Sequence, residues 1–398
     1  MVAISRKMCY NGLGFLYEKK FISAALGSTG SMKKYLLFFI LLTVVSLLAV
    51  SCGEAVGTTS GDSLETSGTP VGSMTTDAPA TTPAVTLPPE TTEADTTYED
   101  VYYDLSPIEG EVGEPLRVNW NPYLFSPVIT SDGAVKEGAE ALVKAILNRR
   151  LSVTFSSREV MLAVADNIFF EFPPSALCSF TPSGEGATLR ISYSLKREEH
   201  LAAMTAFGDR VEELIAETLV FGDNEAEKAL LLYHKVGEVV DYFKVGYKEW
   251  QTGGYYALMG GNAICYGFAD AYNHLLRQVG MEAYLVKSYR PTDLAPHGWS
   301  LVRIDGIYYH CDPTWEDSMF EGAGFWYFGN TDDRRDGAIS LSMATVGEGS
   351  LKSPIPYRVT DTRFYAIYKK SITRPEWVLD KEKQVLVYER KEYSYAKS

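Results

Sequence analysis

Cys265, His297 and Asp312 occur in chain order within 48 residues and are the side chains here that could do chemistry together. A thiol, an imidazole and a carboxylate are the parts of an activated cysteine nucleophile. The imidazole takes the thiol proton, and the carboxylate orients the imidazole. The chain offers only five His and five Cys, so alternative partners are few.

The flanking pattern predicts the elements that carry them. Asn262 follows Gly260 and Gly261 and reads as a helix N-cap. Cys265, Phe268, Ala269, Tyr272, Leu276 and Val279 then recur at helical spacing, and Gly280 ends the run. Cys265 thus falls in a first helical turn, on the buried stripe. Unpaired N–H groups and the positive end of the helix dipole favour a thiolate there, and the Cys265 N–H is the expected oxyanion donor. Tyr256 and Trp299 are secondary candidates for contacting the oxyanion or substrate, against the plainer role of core packing. Glu282 to Tyr289 reads as a strand, followed by a loop with Pro291 and Pro296. HGWSLVRI and IYYHCD then flank Asp305-Gly306, which signals a two-residue hairpin. Pairing Ile304 with Ile307 puts Trp299 opposite Asp312, with His297 diagonal to Asp312 on the same face and within its reach. Cys311 falls on the other face, and a one-residue slip would undo the arrangement. His310 shares the His297 face and reads as a packed core residue. His274 falls on the back of the helix and is expected to be exposed. His200 and His234 read as helix-surface residues.

From about Asp223 to Asp333, roughly a third of the chain, the sequence resembles the transglutaminase-like core of the papain-like cysteine enzymes. The matching pieces are GGNAICYGFADAYNHLLRQVGMEA, HGWSLVRIDGIYYH and DPTWEDS. The resemblance implies an α+β fold in which the nucleophile helix packs on an antiparallel sheet, with a small α+β module ahead of it. It implies Cys265 as nucleophile, His297 as general base then acid, and Asp312 as orienter, with no metal or cofactor. One departure is HGWS where bacterial members often show HAWN, so Ser300 replaces an amide side chain. The chemistry implied is acyl transfer at an amide, with hydrolysis of peptide or isopeptide bonds as the favoured outcome. The alternatives are cross-linking with a Lys amine as acceptor, or a catalytically silent module that holds peptide or glycan.

The rest of the chain sets the context. Residues 1–31 form an unusual leader, and Met32 is the expected start. Met32-Lys33-Lys34, an apolar run and Ser51-Cys52 describe a secretory signal over 32–52. The ending AVSC resembles a bacterial lipobox, which implies lipidation of Cys52 and a protein held on the outer face of the cell membrane. Residues 53–104 are rich in Thr, Ser, Pro and Gly and read as a disordered acidic tether. An α+β module is expected over 105–222, with helices near 135–148 and 196–220 and a strand in ATLRISYSL. The catalytic core is expected over 223–335, opening with a helix from Asn224 to Phe243. A β-rich extension is expected over 336–398, with strands in RFYAIY and QVLVYER. The expected partners are a peptide or protein substrate at the cell envelope and the membrane itself. A net charge of −14 without a basic cluster argues against nucleic acid. The cysteines are dispersed with no CxxC pair, which argues against a disulfide framework and a structural zinc site. Asp332, Asp336 and Gly337 faintly resemble a calcium loop, but Arg334 sits at a ligand position and no Glu closes it.

Overall fold

Asp305 and Gly306 both take positive φ, at 51° and 88°, which is the backbone a tight hairpin with right-handed strand twist requires. That turn fixes the register of the central sheet. Strand β7 (Pro296–Ile304) pairs with β8 (Ile307–Cys311) so that Ile304 faces Ile307 and Ser300 faces Cys311, as the sequence predicts. On its other edge β7 pairs antiparallel with β6 (Ala283–Tyr289), and β6 continues to the two short strands β9 (Thr345–Val346) and β10 (Ser353–Pro354). The five-stranded order is β10-β9-β6-β7-β8. This computed structural model describes residues 100–242, 253–292, 294–320, 324–336, 338–370 and 376–397. The signal segment, Cys52, nearly all of the tether and Gly337 lie outside them.

Helix α6 (Cys265–Gln278) packs across β6 and β7. Every residue of it except Tyr266 is buried. Its contact with the sheet is close: Ser300 Oγ lies 3.4 Å from the Ala269 carbonyl oxygen. A Cβ built on Gly298 would stand 2.4 Å from the Tyr266 ring, so the small residue in HGWS is what lets that ring lie on the strand.

Ahead of the core, α1 (Gly133–Leu147), α2 (Arg158–Glu171) and α3 (Arg197–Thr218) accompany a three-stranded antiparallel sheet, β1 (Ser152–Thr154), β3 (Thr188–Tyr193) and β2 (Cys178–Pro182). Helix α4 (Glu225–Val239) opens with a capping box: Asn224 accepts from the Glu227 N–H, and Glu227 accepts from the Asn224 N–H. It ends before the predicted Phe243. The chain straightens at Val240 so that β4 (Asp241–Tyr242) can pair in parallel with β5 (Asn262–Ala263), just before Cys265. The whole is α+β, with residues 95–398 forming one compact unit.

Two expectations need correction. RFYAIY is not a strand: α9 (Tyr365–Lys370) forms there, because Phe364, Ile367 and Tyr368 are buried at helical spacing. QVLVYER does supply a strand, β12 (Val385–Tyr388), between β11 (Trp377–Asp380) and β13 (Lys391–Ser394). The histidines on helices are also less exposed than their wheel positions imply. His274 is buried and its Nε2 accepts from Trp120 Nε1–H at 3.1 Å. His200 is buried with Nε2 2.8 Å from the Ile146 carbonyl oxygen, and His234 packs edge-on to Trp377.

Candidate active site

Cys265 is the first residue of α6. Its N-cap is Ile264, not Asn262; the Asn262 amide instead donates to the Gly260 carbonyl. The reason is local. Helix α5 (Gly254–Gly260) stops at Gly261 in the left-handed region, and the next residues are drawn into β5, so helical geometry begins only at Cys265. As the first N–H of the helix, that of Cys265 has no intrahelical acceptor, and no side chain among the described residues caps this end.

His297 stands near the start of β7 and is buried. Its Nε2 lies 2.7 Å from Asp312 Oδ2, so the diagonal pair foreseen across the hairpin is made. That bond leaves Nδ1 for the Cys265 thiol, which faces the imidazole closely enough to affect its protonation. Burial opposes the imidazolium. The Asp312 carboxylate and the Cys265 sulfur outweigh it and lift the His297 pKa to about 9. The ring is fixed by indoles, stacking on Trp315 at 4.7 Å between centroids and on Trp299 at 6.0 Å.

Asp312 is fully buried just past β8. Its Oδ1 accepts from the Trp315 N–H at 3.3 Å, at the start of α7 (Pro313–Phe320). Its Oδ2 accepts from His297 and from Arg335 Nη2, the latter at 2.9 Å. Burial disfavours its charge, but His297 and Arg335 overcome that and hold its pKa below the ordinary value. Arg335 ends the short helix α8 (Asp332–Arg335), and sequence reasoning did not single it out. It sat inside the segment weighed and rejected as a calcium loop, and a basic residue 23 positions beyond Asp312 carries no spacing signal.

The secondary candidates part company. Trp299 is fully buried and its Nε1–H donates to His310 Nδ1 at 2.9 Å, so it packs the site and has no donor left for an oxyanion. His310 is the core residue expected, with Nε2 3.0 Å from Asp332 Oδ1. Tyr256 is half-buried on α5, edge-on to Tyr255. Cys311 points to the other side of the sheet, where burial pushes its thiol up to about 12. Cys178, outside the core, is likewise pushed up to about 12 by burial.

A cysteine that opens a helix thus shares the site with a histidine on β7 that is hydrogen-bonded to a carboxylate just past β8. Residues 213–313 match the family model of the transglutaminase-like superfamily. Among solved structures, the chain is similar to a TGase at 13% identity, covering 34% of this chain and 43% of that one, with a TM-score of 0.24. It is also similar to a proposed cysteine protease from Cytophaga hutchinsonii at 12% identity, covering 34% of this chain and 60% of that one, with a TM-score of 0.23. A proposed protease from Parabacteroides distasonis shows 11% identity, covering 45% of this chain and 41% of that one, with a TM-score of 0.23. The chain therefore spans less than two thirds of each of these structures. No curated protein matches the sequence.

Proposed function

We propose that this protein is a cysteine-dependent acyl-transfer enzyme that hydrolyses peptide or isopeptide amide bonds, with Cys265, His297 and Asp312 as its triad. The observation that carries this reading is the Asp312–His297 bond through Nε2, which leaves the other ring nitrogen for the cysteine that opens the nucleophile helix. His297 takes the Cys265 proton, leaving a thiolate beside an imidazolium. The sulfur attacks the amide carbon, and the carbonyl oxygen becomes an oxyanion beside the Cys265 N–H. His297 then gives its proton to the leaving amine as the C–N bond breaks, and a thioester remains. Water attacks the thioester while His297 accepts its proton. The carboxylic acid departs and the thiol is restored. Tyr256 is retained as a substrate-side candidate, and Trp299 as packing.

The setting is part of the proposal and rests on sequence alone. The protein is exported, lipidated at Cys52 and held at the outer face of the bacterial membrane by the 53–104 tether, where it meets peptide or protein substrates of the envelope.

The test uses the full-length protein with fluorescent casein and a dansyl-labelled primary amine, comparing wild type with Cys265→Ala. Release of peptides without amine incorporation, abolished in Cys265→Ala, is the expected result. Amine incorporation abolished in the variant overturns hydrolysis in favour of cross-linking. Amide chemistry that survives in Cys265→Ala overturns the enzyme assignment.

A further inference from the structure

Two cations share one oxygen of Asp312. His297 Nε2 lies 2.7 Å from Oδ2 and Arg335 Nη2 2.9 Å from it. Arg335 is buried, and Nε and Nη1 have no hydrogen-bond partner among the described residues. Its guanidinium instead meets ring faces, 4.5 Å from the Trp315 centroid and 4.9 Å from that of Trp299. These are the two indoles that hold the His297 ring, with interplanar angles of 18° and 16°. One pair of rings thus aims both the imidazole and the guanidinium at the same carboxylate. As structural glue this is a poor use of a buried arginine, whose planar fork suits bidentate pairing with a carboxylate. The chemistry supplies a better reason. Once His297 has given its proton to the leaving amine it is neutral, and Asp312 is then a fully buried carboxylate with no imidazolium beside it. A lone buried carboxylate takes up a proton rather than stay charged. Arg335 is the permanent charge that prevents this, because a guanidinium does not deprotonate in a protein.

We propose that Arg335 is a positioning residue: it keeps Asp312 anionic and fixed through the half of the cycle in which His297 is neutral. This rests on the triad reading above. The test follows Cys265 alkylation by iodoacetamide against pH in the full-length protein, read by peptide mass spectrometry, with Cys178 and Cys311 as internal references. With Arg335→Met a neutral His297 leaves Asp312 uncompensated, so the ring keeps its proton to higher pH and the alkaline limb of Cys265 alkylation, which His297 sets, moves up by about one unit or more. Arg335→Lys keeps the cation and holds the limb near its wild-type position. An Arg335→Met protein that folds and keeps the wild-type limb overturns the inference, as does Arg335→Lys shifting as far as Arg335→Met. If Arg335→Met does not fold, the comparison is Asp312→Asn against Asp312→Asn with Arg335→Met. Equal Cys265 rates show that Arg335 acts through Asp312, and a further fall of about threefold or more, roughly 0.65 kcal/mol, overturns it. The two readings fail separately. Wild-type Cys265 reacting no faster than Cys178 and Cys311 sinks the triad, whereas a fast wild type matched by Arg335→Met at every pH sinks only the role of Arg335.

Discussion

His297 is lifted to about 9 because its burial is outweighed by Asp312 and the Cys265 sulfur. Below that pH the ring holds the proton that the leaving amine needs; above it the proton is gone. The pH–rate profile of kcat/KM is therefore expected to fall as pH rises through about 9. A profile that stays flat beyond pH 10 would contradict the assigned acid. Asp312→Asn tests the same cluster through stability. It leaves Arg335 buried without its carboxylate, and removing one partner of a buried pair costs about 3–5 kcal/mol. Urea unfolding should show that loss, and adding Arg335→Met should recover part of it. The diagonal His297–Asp312 pair was legible in the sequence because a two-residue turn leaves no freedom in counting back along the strands. Arg335 was not, because its approach depends on how the chain returns after β8, and no periodicity records that path.

At the scale of elements, α6 explains both the success and the failure of sequence reading. Its apolar repeat placed Cys265 in the first turn correctly. The same repeat implied a solvent-facing back, and His274 was assigned to it. The helix has no such back, since the sheet covers one side and the N-terminal module the other, so a wheel drawn from two faces misplaces whatever lies between them. The contact between Gly298 and Tyr266 gives a prediction at this scale. Gly298→Ala forces the ring next to Cys265 to move, and overpacking of this kind costs about 1–3 kcal/mol. A lowered Tm in Gly298→Ala, restored when Tyr266→Ala is added, is the expected result. An unchanged Tm would mean that the ring rotates away freely.

At the scale of the whole molecule, the segments on either side of the core are bound to it by buried polar contacts. Gln278 at the end of α6 hydrogen-bonds the backbone of Asn121 twice, at 2.9 Å each, while Glu171 accepts from Ser126 and pairs with Arg277 at 3.6 Å. At the other end, Tyr395 donates to Glu227 at 2.8 Å and Arg363 pairs with Asp305 in the hairpin turn at 2.6 Å. The segments expected over 105–222, 223–335 and 336–398 thus share one set of contacts. Calorimetry of the protein should show a single cooperative unfolding transition for residues 95–398. Two resolved transitions would mean that the N-terminal module melts apart from the nucleophile helix.

The most direct measurement is the rate of Cys265 alkylation by iodoacetamide at pH 6 in the full-length protein, read by peptide mass spectrometry beside Cys178 and Cys311. Burial pushes both reference thiols up to about 12, so neither should react appreciably at that pH. The account predicts that Cys265 reacts at least about tenfold faster than a free thiol of pKa about 8.5, and that His297→Ala abolishes the advantage. Cys265 reacting as slowly as the references, or at the same rate with and without His297, would contradict it.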